Sequence, residues 1–95
     1  MSEVISAAVL ALSHKLSSGF DGTAKFVIED EGSIIIDGGG VREGDDEADV
    51  TLTSDTDTFR AILDGELNPT NAFMSGKLKV DGDMSAAMRL GSVLG

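Results

Sequence analysis

The thirteen residues AFMSGKLKVDGDM, Ala72 to Met84, change periodicity twice. Phe73 and Met74 close an apolar segment at helical spacing. Lys77-Leu78-Lys79-Val80-Asp81 then alternates polar and apolar, as a strand covered on one face does. Gly82-Asp83-Met84 opens a further helix, with Asp83 as the cap that accepts from its first free amides. A helix end, a strand and a helix start therefore fit into one short stretch. In the strand, Leu78 and Val80 share one face and Lys77 and Lys79 the other. Two of the chain's seven basic side chains lie here.

Upstream of this stretch, Asn68-Pro69 starts the short helix that ends at Gly76, because Asn caps and Pro at the first helical position lacks an amide that would go unpaired. A preceding helix carries Phe59, Ile62 and Leu63 on one face and stops at Gly65. Its start reads as a capping box at Ser54-Asp-Thr-Asp57. Ala48 to Thr53 alternates cleanly, placing Val50 and Leu52 inward. Before it, Gly38 to Glu47 reads as a polar connection, too polar to pack and mobile, with room for a short strand around Val41.

Ala24 to Glu29 and Ser33 to Asp37 flank the turn Asp30-Glu31-Gly32 and form a hairpin. The consecutive Ile34, Ile35 and Ile36 point to a strand covered on both faces. The first helix, capped by Ser2 and ending near Ser17-Ser18-Gly19, places Ile5, Ala8, Val9, Leu12 and Leu16 on one stripe. In its third residue this N-terminal segment is acidic, so it reads as an amphipathic helix and not as a signal peptide. The order α, β-meander, α, short α, β, α implies an α+β fold with a largely antiparallel sheet. Ninety-five residues are expected to form one domain spanning 1–95.

Composition narrows the function. Seventeen acids against seven bases give a net charge of −10, which excludes a nucleic-acid surface built on phosphate neutralisation and a polybasic membrane anchor. The charge is uneven. Residues 1–66 carry fifteen acids and four bases, whereas residues 67–95 carry two acids and three bases. An anionic or neutral partner is least repelled by that last third. The absence of cysteine excludes disulfides and thiolate chemistry and fits a reducing compartment.

No catalytic constellation emerges. His14 lies off the main apolar face of the first helix, and the Ser13 beside it is not in a nucleophile elbow. The Asp-x-Asp pairs lack the Gly and Glu that a calcium loop requires at its sixth and twelfth positions, so no metal is expected. Asp55, Asp57 and Asp83 are explained as helix N-terminal groups. Gly38-Gly39-Gly40 precedes no helix and is crowded by acids, which argues a turn over a phosphate cradle. No catalytic residue and no cofactor are expected.

What remains is apolar. Phe59, Ile62, Leu63, Phe73, Met74, Leu78, Val80, Met84 and Met88 come from three helical segments and one strand within thirty residues. The pattern leaves two readings open: these side chains pack together, or helices laid over the sheet leave a cavity lined by adaptable methionines.

The stretch from Phe59 to Leu90 resembles the signature of the sterol carrier protein 2 family. That pattern is met at Gly65, Asn68, Pro69, Ala72, Phe73, Gly76, Lys77, Leu78, Val80, Gly82, Asp83, Met84, Ala87, Met88 and Leu90, and the order of upstream elements is similar too. The resemblance implies a sheet of about five strands covered by helices and enclosing a hydrophobic tunnel for sterols, fatty acids or fatty acyl-CoA. It also implies a non-enzymatic lipid binder, alone or fused to enzymes. Phe73, Met74, Met84 and Met88 match positions near the tunnel, with Phe59, Ile62 and Leu63 on the preceding helix. The chain ends soon after Leu90 and lacks a peroxisomal tail, which implies a more open cavity and a cytoplasmic, bacterial-type protein.

The expected ligand is an apolar lipid, with Lys77, Lys79 and Arg89 as the local candidates for an anionic head. The expected state is a monomer or weak dimer. A second reading is an accessory module that docks on a lipid-metabolising enzyme and has no ligand of its own.

Overall fold

The computed structural model describes residues 3–16 and 20–94. Along the chain run α1 (Glu3–Lys15), β1 (Ala24–Ile28), β2 (Gly32–Asp37), β3 (Gly40–Glu43), β4 (Val50–Ser54), α2 (Thr56–Leu63), α3 (Pro69–Met74), β5 (Lys79–Gly82) and α4 (Met84–Leu94). Ser2 and Ser17-Ser18-Gly19, expected to bound the first helix, lie outside the described residues. None of the described helices is long and apolar enough to cross a membrane.

The five strands form one sheet in the order β3-β2-β1-β4-β5. The first three make an antiparallel meander. β4 then returns beside β1 and runs parallel to it, with Phe26 opposite Leu52. β5 closes the other edge antiparallel to β4. The sheet is therefore mixed, with β1 at its centre. Alternation puts Ala24, Phe26, Ile28, Ile34, Ile36, Val50 and Leu52 on one face, and all are buried.

The helices cover that face. Ile5, Ala8, Leu12 and Leu16 of the first helix and its last turn, Phe59 and Ile62 of α2, Ala72 of α3, and Ala86, Ala87 and Leu90 of α4 complete a single core. At its centre the Phe26 and Phe59 rings meet edge to face, with centroids 4.6 Å apart. That geometry aligns the positive ring edge with the negative ring face.

The opposite face is not bare. Ile35 points to it and is fully buried, because the acidic connection folds across it. Ser33 Oγ donates to the Gly44 carbonyl at 2.7 Å, and Gly44 N donates back to the Ser33 carbonyl at 3.1 Å. Lys25 pairs with Asp45 at 2.9 Å, and Arg42 reaches Asp37 at 2.8 Å and Asp46 at 3.8 Å. The expectation that residues 38–47 are too polar to pack is thus corrected. One isoleucine and a handful of polar bonds suffice to seat the segment, and residues 40–43 form an edge strand. Asp37 also accepts from the Gly39 amide at 2.9 Å, so the glycine turn is served by the chain's own carboxylate. Arg42, ahead of that amide, holds the Asp37 carboxyl below its ordinary value.

Two boundaries also move. The cap of α2 is Asp55, not Ser54. Its Oδ1 accepts from Thr58 N at 2.7 Å, while Ser54 is the buried last residue of β4. β5 begins at Lys79, not Lys77. Lys77 N and Leu78 N both donate to the Ala72 carbonyl, at 2.9 and 3.1 Å, and so belong to the turn that closes α3. The same device closes α2, where Glu66 N and Leu67 N share the Ala61 carbonyl at 2.9 and 3.1 Å. Each turn passes through a glycine at φ +81°, Gly65 and Gly76.

Gly82 has a different task. At φ +110°, a side chain there would overlap the Asp49 carbonyl and crowd Val50 Cα at 3.1 Å. The clash is with backbone, so nothing can swing aside. Gly82→Ala should therefore destabilise the fold by on the order of 3 kcal/mol or more. Gly76→Ala meets open space and should cost about 1–2 kcal/mol, from the left-handed conformation alone. Urea unfolding followed by circular dichroism ranks the two, and equal losses would refute the backbone clash.

The Asp55 carboxyl is held below its ordinary value of 3.8, first by the Thr58 backbone amide, then by the Thr58 side chain, with Lys77 adding to it. A depressed carboxylate stabilises the fold above its unfolded pKa, and that contribution is lost as pH falls through the folded value. Asp55→Asn keeps a capping oxygen but cannot titrate. The variant should show a flatter loss of stability than the parent below about pH 4, read from thermal midpoints across an acid series.

Candidate functional site

The sheet and helices do not close completely. Between the β1–β4–β5 part of the sheet and the α3–α4 pair lies a groove of about 480 Å³. This is within the usual range of small-molecule sites. Phe26 and Leu52 form its floor from the two central strands. Ile62, Leu78, Val80 and Ala87 form its walls, and Phe73, Met74, Met84 and Met88 its rim.

Local sequence explains the gap. α3 is only six residues long, capped by Asn68, whose Oδ1 accepts from Thr70 N at 2.8 Å. It buries Pro69 and Ala72 and little else. α4 begins at Asp83, whose Oδ1 accepts from Ser85 N at 2.9 Å and Ala86 N at 3.3 Å. Its anchors on the core are Ala86, Ala87 and Leu90. Short alanine side chains bring the helices in without filling the space beneath their flanks. The larger side chains, Met84 and Met88, stand one helical turn apart at the margin.

These rim residues correct one expectation. Phe73, Met74, Met84 and Met88 were expected around an interior, yet they are 43%, 79%, 46% and 72% exposed. They line the groove from its open side and are not buried in a core. The family resemblance implies a tunnel, and the short stretch after Leu90 a more open one; the observed feature is an open-sided groove. An empty sealed void of this size would cost on the order of 10 kcal/mol at about 24 cal/mol per Å³, comparable to the whole stability of a small domain. An open side removes that cost.

Of the nine apolar residues singled out in the sequence, Ile62, Phe73, Met74, Leu78, Val80, Met84 and Met88 converge on the groove. Phe59 and Leu63 do not. They turn toward α1 and line a second concavity of about 430 Å³ with Ala7, Ala11 and Arg60. α2 lies between the two spaces, so residues from one side of its stripe serve each. Sequence reasoning missed Phe26 and Leu52. Alternation marked Leu52 as inward and Phe26 stood only within a hairpin strand, and nothing local told that the helices above would leave the two uncovered.

Polar lining is sparse and uncharged: Asn68, Thr70 and Ser92. None of Lys77, Lys79 or Arg89 lines the groove. Arg89 Nη2 instead donates to the Asp21 carbonyl at 3.2 Å, tying α4 to the segment before β1. His14 is exposed on α1, on a different element from any groove residue.

Comparison with known proteins places this geometry. The pattern of the SCP-2 sterol transfer family matches residues 8–95. The bovine (Bos taurus) hydroxysteroid dehydrogenase-like protein 2 is 43% identical over 74 residues, which are 77% of this chain and 17% of that protein. The chain thus spans under a fifth of the length of that relative. Among solved structures, the sterol carrier protein 2 of Aedes aegypti in complex with palmitate, a C16 fatty acid, superimposes with a TM-score of 0.79 at 24% identity, covering 99% of this chain and 96% of that one. Sterol Carrier Protein 2 Like 2 of the same mosquito also gives 0.79, at 20% identity and 95% coverage of both chains. At these identities the two structures establish the fold. Family pattern and fold agree over nearly the whole length, and the chain belongs to the SCP-2 sterol transfer family.

Proposed function

We propose that this chain binds an apolar lipid in the groove between the sheet and α3–α4, without chemistry, and carries it between sites in a reducing, cytoplasmic setting. The candidates are the classes already named: a fatty acid, a fatty acyl-CoA or a sterol-like molecule. One observation carries the reading. About 480 Å³ of concave space is lined mostly by apolar side chains, with Met74, Met84 and Met88 beside Phe73 on its rim. Methionine adapts to ligands of different shape, since its side chain is flexible and its sulfur polarizable. No lining residue is titratable, so the groove holds no general acid, base or ionised nucleophile. Palmitate bound to the structurally similar Aedes aegypti protein supports the same reading.

The energetics are adequate. Each methylene removed from water is worth about 0.8 kcal/mol, and micromolar affinity requires about 8 kcal/mol. On the order of ten buried methylenes supply that before the cost of association is subtracted. A groove of this volume holds a chain of that order.

The alternative, a module that docks on a lipid-metabolising enzyme without a ligand, draws on the exposed Phe73, Met74 and Met88 and on the greater length of the relative. A docking module with no ligand is expected to have a filled interior. The open groove therefore favours binding, and docking by the rim remains compatible with it.

Two measurements test the proposal. Native mass spectrometry of gently purified protein should show a co-purifying lipid, or uptake of one at micromolar concentration, and failure of both would remove the reading. For straight-chain ligands, affinity should rise by up to about fourfold per methylene and stop rising once the groove is full.

Met88→Asp should eliminate binding while leaving the fold intact. The side chain is already 72% exposed, and surface changes usually stay within about 0.5 kcal/mol. A variant that is folded by circular dichroism and still binds lipid at full affinity would show that Met88 does not contact the ligand.

A further inference from the structure

The groove has a polar end, and its composition bears on the head group of the ligand. A side chain on Gly91 would lie 3.7 Å from the Pro69 ring, so the last turns of α4 pass close to the start of α3. This crossing brings Asn68 and Thr70 near Ser92, and these three are the hydrogen-bonding side chains of the lining.

Their capacities are partly used. The Asn68 carbonyl oxygen accepts from Thr70 N. Among the described residues its amide hydrogens have no protein acceptor. Ser92 Oγ donates to the Met88 carbonyl at 3.1 Å and keeps its lone pairs. Thr70 contributes a hydroxyl that can do either. The end thus offers donors and acceptors but no charge.

None of the seven bases lines the groove. Lys25 pairs with Asp45 and Arg42 with Asp37. Arg89 is tied to the Asp21 carbonyl. The whole chain carries a net charge of −10. At this exposed end a carboxylate or phosphate would meet no cation and would sit in the negative field of the chain. A hydroxyl or carbonyl would find partners of the right kind.

From the uncharged polar end and the absence of any lining cation, we infer that this groove selects lipids with a neutral head, hydroxyl- or carbonyl-bearing, over fatty-acid anions and acyl-CoA. The inference rests on the lipid-binding reading and narrows it to one ligand class. The apolar body of the ligand lies over Phe26 and Leu52, with its head toward Asn68, Thr70 and Ser92.

The test is a matched pair. Dodecanol and dodecanoate share one chain and differ at the head. Because the chain has no Trp or Tyr, each is titrated against bound Nile red, a neutral probe, at neutral pH and low salt. Dodecanol should displace the probe at a concentration at least tenfold lower. In the double variant Thr70→Val, Ser92→Ala, the dodecanol dissociation constant, calculated with the variant's own separately titrated Nile red affinity, should rise by about three- to tenfold, the range of one or two lost hydrogen bonds.

Dodecanoate competing equally or better would overturn the neutral-head inference and leave lipid binding standing. So would a double variant that binds dodecanol as the parent does. Failure of Nile red and of both lipids to bind would overturn the lipid-binding reading together with the inference.

Discussion

The inner face of β1 is the constraint on which the rest of the molecule depends. β1 is paired on both sides, to β2 antiparallel and to β4 parallel, so it cannot shift to hide its side chains. Ala24, Phe26 and Ile28 must be covered from above. The edge-to-face contact of Phe26 with Phe59 seats α2, and α1 spreads over β2 and β3. What remains for α3 and α4 is the strip above β4 and β5. Phe26 therefore has two roles, with α2 resting on its ring and the groove using it as floor.

How that strip is covered decides whether there is a site. Ordinary cores reach crystal-like density by interdigitating large side chains. Among the described residues, α3 and α4 bury mostly alanines, Ala72, Ala86 and Ala87, with Leu90 as a large anchor. The mass that would fill the space has moved to the rim as Phe73, Met74, Met84 and Met88. The groove is thus a consequence of where bulk was placed along two short helices. Its open side keeps the unfilled volume from becoming a costly sealed void.

Charge is segregated with comparable economy. The acidic connection lies on the far face of the sheet, anchored by Ile35, by Ser33 with Gly44 and by the Lys25 and Arg42 pairs. The bonds that seat this segment engage two of the seven bases. Exposed ion pairs of this kind contribute little to stability. Their structural effect is to hold like-charged residues on one side while the groove is lined by uncharged groups.

Much of the fold was legible in the sequence because its signals are local. Alternation marked β4, and two β-forming runs flanking a glycine-ended turn marked the β1–β2 hairpin. Asn68-Pro69, Asp83 and the glycines at 65 and 76 bounded helices by capping and left-handed turns. The run Ile34-Ile35-Ile36 announced cover on both faces, and all three are fully buried. The pattern from Gly65 to Leu90 identified the family.

Tertiary structure alone decided which apolar residues face one another. Phe59 and Leu63 share a helical stripe with Ile62, yet α2 sits between two spaces and sends them to the other one. Leu52 read as an ordinary inward residue and Phe26 as one member of a hairpin strand, until the helices above proved too slight to cover them. Alternation had already set Lys77 and Lys79 on the face opposite Leu78 and Val80, but only the packing showed that Arg89 reaches the Asp21 carbonyl and not the groove. Periodicity fixes which face of an element a side chain occupies. Only the packing of elements determines whether that face meets a neighbour, solvent or an unfilled space.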